Sequence, residues 1–174
     1  LLKIGLLGGS FNPAHYGHVY ISKEAIKRVQ LDQVWWLFCK KNPLKKILYE
    51  SFIERKKKAE AIIKGYKKIK IVNTDDIYTY KTLKEITTRF PQYKFFWIMG
   101  MDNLLNFHKW EMYEHFHEMV KIIIIDRNKD FHKAIRSRFA IRFYQRRNWD
   151  VLLIKKKDIS STRIRNQESF TNIH

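Results

Sequence analysis

Short, nearly continuous apolar runs alternate along this chain with longer stretches in which apolar residues recur every three or four positions. The runs Lys3–Leu7, Gln33–Phe38, Ile69–Asn73, Lys94–Met99 and Val120–Asp126 have strand length, and Val151–Ile154 is a candidate sixth. Between them, Tyr16–Val29 reads as a helix with Val19, Ile26 and Val29 on one face. Phe52, Ala59, Ile62 and Ile63 line a second helix, opened by a Ser51/Glu54 capping box and ended at Gly65. A third is predicted over Lys81–Phe90, stopping before Pro91, and a short one from Ser160-Ser161-Thr162. Strands that are apolar on both sides and alternate with helices predict an α/β fold. The expected form is a doubly wound, Rossmann-like parallel sheet of five to six strands with helices on both faces. The length of 174 residues fits one domain, 1–174, without repeat or linker.

In such sheets ligands bind past the carboxyl ends of the strands, where the strand order reverses. Two predicted strands end in glycine, the first at Gly8-Gly9 and the fourth at Gly100, followed by Met101-Asp102. If these strands are neighbours, their glycines face each other at the switch point. The first run continues as Gly8-Gly9-Ser10-Phe11-Asn12-Pro13-Ala14-His15-Tyr16-Gly17-His18, which reads as strand, glycine turn and helix start. Glycines let the backbone come close to a ligand, and a helix N-terminus offers unpaired N–H groups to an anion. His15 and His18, three apart, can reach one patch near the helix mouth. Together these features predict a phosphate site with adjustable proton donors; the plainer alternative is a glycine turn with two surface histidines. Far downstream, Ile159-Ser160-Ser161-Thr162-Arg163-Ile164-Arg165 offers hydroxyls at a helix start and an arginine fork about one turn in. That segment is either a second anion site or an ordinary N-cap with exposed arginines. Neither G-x-x-x-x-G-K-[ST] nor G-x-G-x-x-G occurs.

Taken together, the two segments resemble a known superfamily. Gly9–His18 is similar to the nucleotidyltransferase signature G-x-F-x-P-x-H-x-G-H, and Ser160–Arg165 to its distal S-[ST]-T-x-I-R. Tyr78-Thr79-Tyr80-Lys81-Thr82-Leu83, and Gly100-Met101-Asp102 followed by Trp110, resemble the Y-T-x-x-T-L and G-x-D…W segments of the bacterial nicotinate-nucleotide adenylyltransferases. The resemblance runs from Lys3 to Arg165. It implies adenylyl transfer from ATP to nicotinate mononucleotide, giving nicotinate adenine dinucleotide and pyrophosphate, with Mg²⁺ arriving on ATP. It further implies that Gly8, Gly9, Ser10 and Phe11 form the ATP turn and that His15 and His18 contact the phosphates. By the same resemblance, Ser161, Thr162 and Arg165 hold the β- and γ-phosphates, and Gly100 and Asp102 line the adenosine pocket. Arg127 would reach the pyrophosphate; His15, His18 and Arg165 would be the catalytic set. On the acceptor side, Trp110 would stack on the pyridine ring, Thr79 and Tyr80 would offer backbone amides to the carboxylate, and Lys45 is a candidate for the phosphate.

Three departures from the family pattern stand out. Asn42-Pro43-Leu44-Lys45 replaces P-P-H-[KR], and Leu44 has no side-chain donor, so acceptor-phosphate binding differs or rests more on Lys45 and Lys46. Arg127-Asn128-Lys129 stands where Arg-Pro-Gly is usual. The chain ends soon after Arg165, so the C-terminal helix is expected to be short or missing. At the other end, the sequence opens on Leu1 without methionine and is read as lacking its start.

Charge and composition narrow the alternatives. A single cysteine, Cys39, precludes an intrachain disulfide and fits the cytoplasm. No run approaches the roughly 20 apolar residues of a membrane span, and no signal-peptide pattern is present. The formal net charge of +18 favours anionic partners, but the lysines are spread along the chain. A dedicated nucleic-acid surface is therefore the less favoured reading, as it is for the basic stretch from Arg127 to Arg147, whose aromatics suit a helix packed on the sheet. His108, His115 and His117 match no standard zinc spacing. Rival functions are a sister nucleotidyltransferase using nicotinamide mononucleotide, phosphopantetheine or a CTP-dependent acceptor, and a non-catalytic nucleic-acid-binding protein on the same fold. Oligomeric state stays open.

Overall fold

The computed structural model describes residues 1–38, 50–74, 79–127 and 148–155. Six strands form one parallel sheet: β1 (Leu2–Gly9), β2 (Gln33–Phe38), β3 (Ile69–Asn73), β4 (Tyr93–Gly100), β5 (Lys121–Asp126) and β6 (Trp149–Leu153). Their order is β3-β2-β1-β4-β5-β6, and every pairing is parallel. The chain thus builds outward from β1 to one edge, then returns to β4 on the other side of β1. β1 and β4 are neighbours, with Leu6 beside Trp97 and Leu7 beside Ile98, so the predicted switch point lies between them.

The helices are α1 (Tyr16–Val29), α2 (Phe52–Ile63), α3 (Thr79–Arg89), α4 (Met101–Asn106) and the single turn α5 (Phe116–Met119). Successive strand residues point to opposite faces, and the core divides accordingly. Ile4, Leu6, Trp97, Met99, Ile122 and Ile124 pack on one face with Leu83 and Ile86 of α3, Leu104 of α4 and Phe116 of α5. Leu7, Val34, Trp36, Ile98, Ile123 and Ile125 pack on the other with Val19 and Ala25 of α1 and Ala59 of α2. Two buried faces explain why the strands read as continuous apolar runs rather than alternating ones.

Differences from the sequence expectation are local. β1 and β4 each extend to include their terminal glycines, and β6 spans Trp149–Leu153. α3 starts at Thr79, two residues earlier than expected. On α1 the buried residues are Gly17, Val19, Ser22 and Ala25, whereas Ile26 and Val29 are half-buried: the contact stripe is made of small residues that let the helix lie close to the sheet. The Ser51/Glu54 capping box forms as read, the Glu54 N–H donating to Ser51 Oγ and the Ser51 N–H to Glu54 Oε2, each at 3.2 Å. Gly65 follows α2 at φ 91°, where a Cβ would be strained. Among the described residues no helix is long and apolar enough to cross a membrane.

Candidate functional site

At the carboxyl end of β1 the chain turns through Ser10 and Phe11 into α1. Phe11 lies in the left-handed region, at φ 45°, a conformation that costs a non-glycine residue of order 1–3 kcal/mol and persists only where its surroundings over-determine it. They do: its buried ring stacks on Trp36 at 4.9 Å and Phe38 at 4.5 Å and leans on His18 at 4.8 Å. Trp36 is anchored in turn by its indole N–H, which donates to Ser22 Oγ on α1. The Asn12–Pro13 peptide is cis.

His15 is the N-cap of α1, and it caps with its ring. The Gly17 N–H donates to His15 Nδ1 at 3.0 Å, and the His15 N–H donates to His18 Nδ1 at 3.2 Å. The two rings lie 3.9 Å apart. Because each Nδ1 accepts from a backbone N–H, the hydrogen-bond pattern assigns Nε2 as the donor nitrogen in both neutral rings. Burial, and then the nearby positive charge of Arg127, lower the His15 pKa from 6.5 to about 4. A neutral His15 is what the Gly17 contact requires, since an imidazolium has no lone pair to accept with. The helix entrance therefore presents a neutral donor next to orphan N–H groups at the positive end of the helix dipole.

Opposite this entrance, Gly100 ends β4 and caps α4 with φ −78°. A Cβ there would come within 2.5 Å of Asp102 Oδ1, so glycine lets the Asp102 carboxylate fold back over the strand end. Asp102, largely exposed, reaches 3.9 Å from Arg127 Nη2, which follows β5. The ends of β1, β4 and β5 thus place Phe11, His15 and His18 near Gly100, Asp102 and Arg127, the Arg127 charge reaching both Asp102 and His15.

The glycines of the turn have a packing reason as well. The space a Gly8 side chain would need is filled by the Trp97 ring, and a Gly9 Cβ would touch the Phe11 ring at 3.3 Å. Nothing in the sequence marks Trp97 out from the other apolar residues of its strand. It is buried, its Nε1 has no hydrogen-bond partner among the described residues, and it meets Trp110 edge-on at 6.1 Å. Trp110 is half-buried, held also by Phe107 and Phe116. Thr79 and Tyr80 occupy the first turn of α3, where backbone N–H groups lack intrahelical acceptors, and Tyr80 packs against His115 at 6.3 Å. His115 and His117 lie near Glu118, and among the described residues no group of three or more His, Cys, Asp or Glu side chains is arranged to hold a metal.

Arg55 was also missed. The run Glu54-Arg55-Lys56-Lys57-Lys58 looks like a solvated basic face, yet Arg55 is 1% exposed. The signal was present: Arg55 lies three residues after Phe52 and four before Ala59, on the face those two bury. Its guanidinium donates to the Ser10 and Glu50 carbonyls. Lys45, Leu44, Cys39, Tyr78, Ser161, Thr162, Arg165 and the stretch 128–147 lie outside the described residues.

Comparison with known proteins agrees with this layout. Residues 6–167 match the family model described as cytidylyltransferase-like. A protein of Ruegeria sp. (strain TM1040), named "Probable nicotinate-nucleotide adenylyltransferase", is 36% identical, over 98% of this chain and all of that one. One of the same name from Cereibacter sphaeroides is 35% identical, over 94% of this chain and 97% of that one. Among solved structures, the nicotinic acid mononucleotide adenylyltransferase of Plasmodium falciparum complexed with NaAD superposes with a TM-score of 0.77 at 22% identity, covering 95% of this chain and 83% of that one; it shares the fold. The match to the family model over most of the length, with relatives above a third identical from end to end, means that the chain belongs to the cytidylyltransferase-like family and, within it, to the nicotinate-nucleotide adenylyltransferases.

Proposed function

We propose that this chain, as one cytoplasmic domain, transfers the adenylyl group of ATP to nicotinate mononucleotide. The observation that carries the reading is the convergence of the His15/His18 helix entrance with Asp102 and Arg127 at the switch point of the sheet. A 5′-phosphate oxygen of the mononucleotide attacks the α-phosphorus of ATP in line. The new O–P bond forms as the bond from the α-phosphorus to the bridging oxygen breaks, and the electron pair leaves on pyrophosphate. Such a reaction needs positioning and charge stabilisation rather than a covalent intermediate.

In this reading, Gly8, Gly9, Ser10 and Phe11 seat the nucleotide. His15 and His18 donate from Nε2 to phosphate oxygens, with His18 at the α-phosphate, and the positive end of α1 adds to their field. Asp102 accepts from the ribose hydroxyls, beside Gly100, and Arg127 meets the leaving pyrophosphate together with Ser161, Thr162 and Arg165. Trp110 stacks on the pyridine ring, the amides at the start of α3 (Thr79 and Tyr80) take the carboxylate, and Lys45 takes the acceptor phosphate. Mg²⁺ would enter on ATP, held mostly by phosphate oxygens and water, and would supply neutralisation of charge on the leaving group.

The test is pyrophosphate release from MgATP with nicotinate mononucleotide and nicotinamide mononucleotide in parallel. Preference for the nicotinate form supports the reading. Preference for the amide reassigns the substrate, and silence with both refutes the activity.

A further inference from the structure

Arg55 is the only lysine or arginine buried among the described residues. Packing alone does not call for it, because a buried guanidinium carries a large desolvation cost that an apolar side chain of similar volume avoids. Two of its donors reach backbone carbonyls: Nε donates to Glu50 at 3.2 Å, and Nη1 donates to Ser10. Glu50 is held from its other side, its N–H donating to Oδ1 of the buried Asn12 at 3.1 Å. Ser10, Arg55, Glu50 and Asn12 thus close a hydrogen-bonded circuit that ties the start of α2 to both ends of the Phe11 turn.

The Ser10 contact has a stereochemical consequence. Across a trans peptide the C=O and the following N–H point in opposite directions. A Ser10 carbonyl fastened toward α2 therefore turns the Phe11 N–H to the opposite side of the turn. Phe11 cannot relax this arrangement easily, because its ring is clamped between Trp36 and Phe38 at φ 45°. We propose that Arg55 is a positioning residue for the nucleotide: it fixes the Ser10–Phe11 peptide so that the Phe11 N–H is presented to an ATP phosphate, and it places a buried positive charge behind the turn. This inference rests on the reading of the turn as an ATP site.

The experiment compares the full-length wild type with R55K and R55M. It measures MgATP binding without acceptor, kcat and both KM values with acceptor, and the thermal midpoint. Lysine keeps the charge but cannot bridge two carbonyls as a planar fork does; methionine keeps the approximate volume and loses both. The expected result is ATP binding weakened by about tenfold or more in R55M, with partial rescue in R55K. In both variants kcat falls, while the KM for the mononucleotide stays within about twofold. Folded variants with ATP binding and kcat within about twofold of wild type overturn the proposal, even if their midpoints drop, because Arg55 then only stabilises the fold. Should R55M fail to fold, R55K decides by the same criteria. A wild type that binds ATP but transfers nothing refutes the activity and leaves the Arg55 comparison intact.

Discussion

Adding one methyl group at Gly8 and at Gly100 should have opposite consequences, although both glycines lie in the carboxyl ends of central strands. At Gly8 the new Cβ lands in the Trp97 ring, which is 3% exposed and hemmed in by Trp110 and Phe116. An indole locked in a core cannot move aside cheaply, so Gly8→Ala carries the penalty of overpacking, about 1–3 kcal/mol. For a chain of this length that corresponds to a drop in melting temperature of roughly 2–12 °C. At Gly100 the backbone is extended, so alanine adopts it without strain, and the obstacle is Asp102 Oδ1 at 2.5 Å. That carboxylate is the free end of an exposed side chain and can swing away. The cost is at most its half-exposed contact with Arg127 at 3.9 Å, about 0–1 kcal/mol. Displacing the carboxylate should nonetheless raise the KM for ATP by about tenfold or more, since hydrogen bonds to a charged group are worth about 1.5–3 kcal/mol. Thermal melts and ATP saturation curves on both variants test this. A Gly100→Ala protein that melts several degrees lower with an unchanged KM would refute the role given to Asp102. A Gly8→Ala protein with wild-type stability would refute the packing argument.

Other outcomes follow from the same geometry. His15 has a pKa lowered to about 4 in the folded chain against 6.5 unfolded, so the unfolded state binds more protons between those values. Its contribution is unfavourable only in acid: stability falls as pH drops from about 6.5 to 4, by up to about 3 kcal/mol, and is unaffected above. Urea titrations of wild type and His15→Gln across pH 4–8 should diverge only in that window; parallel curves would place the histidine elsewhere. Trp110→Ala should raise the KM for the mononucleotide by about tenfold while leaving the KM for ATP alone, and an unchanged acceptor KM would remove the stacking role. Trp97→Phe removes a buried donor that has no partner among the described residues, so its stability should stay within about 1 kcal/mol of wild type, whereas Trp97→Ala should cost about 3–5 kcal/mol by urea unfolding.

Much of the architecture could be read directly from the chain because it depends on local periodicity. Tyr16–Val29, Gln33–Phe38 and Ile69–Asn73 have the expected bounds, and the Ser51/Glu54 box sits where its spacing put it. That β1 and β4 are neighbours was a condition their glycine endings raised without settling, and the sheet order meets it. Less legible were features set by tertiary contact. Arg55 lies hidden in a lysine run because its charge masks its place on the stripe that Phe52 and Ala59 bury. The start of α3 at Thr79 is not marked by an apolar repeat, since Thr79 and Tyr80 are only half-buried. The segment from Phe107 to Phe116 reads as polar through its histidines and glutamates, yet Phe107 and Phe116 are fully buried and make it an aromatic platform. Gly8 reads in sequence as a glycine that lets a ligand come close; the structure shows that the space its side chain would take is filled by Trp97, almost ninety positions away.

That last contact bears on how two substrates are aligned on a sheet edge. Trp97 leans on the Gly8 backbone of the proposed nucleotide turn with one end of its ring system and meets Trp110 of the proposed pyridine platform edge-on. Phe116 braces both tryptophans, and Trp97 itself is fixed in β4 beside Leu6 of β1. The two subsites are thus separate outcrops of one packed face, joined through a rigid indole rather than through loops. In-line transfer loses rate steeply when reacting groups are misplaced by even an ångström, so a shared aromatic foundation supplies the precision that exposed turns could not. On the opposite face Arg55, Trp36 and Phe38 hold the turn at Ser10 and Phe11. The proposed ATP turn is therefore fixed from both sides of the sheet, which explains how it can hold the non-glycine Phe11 in a left-handed conformation.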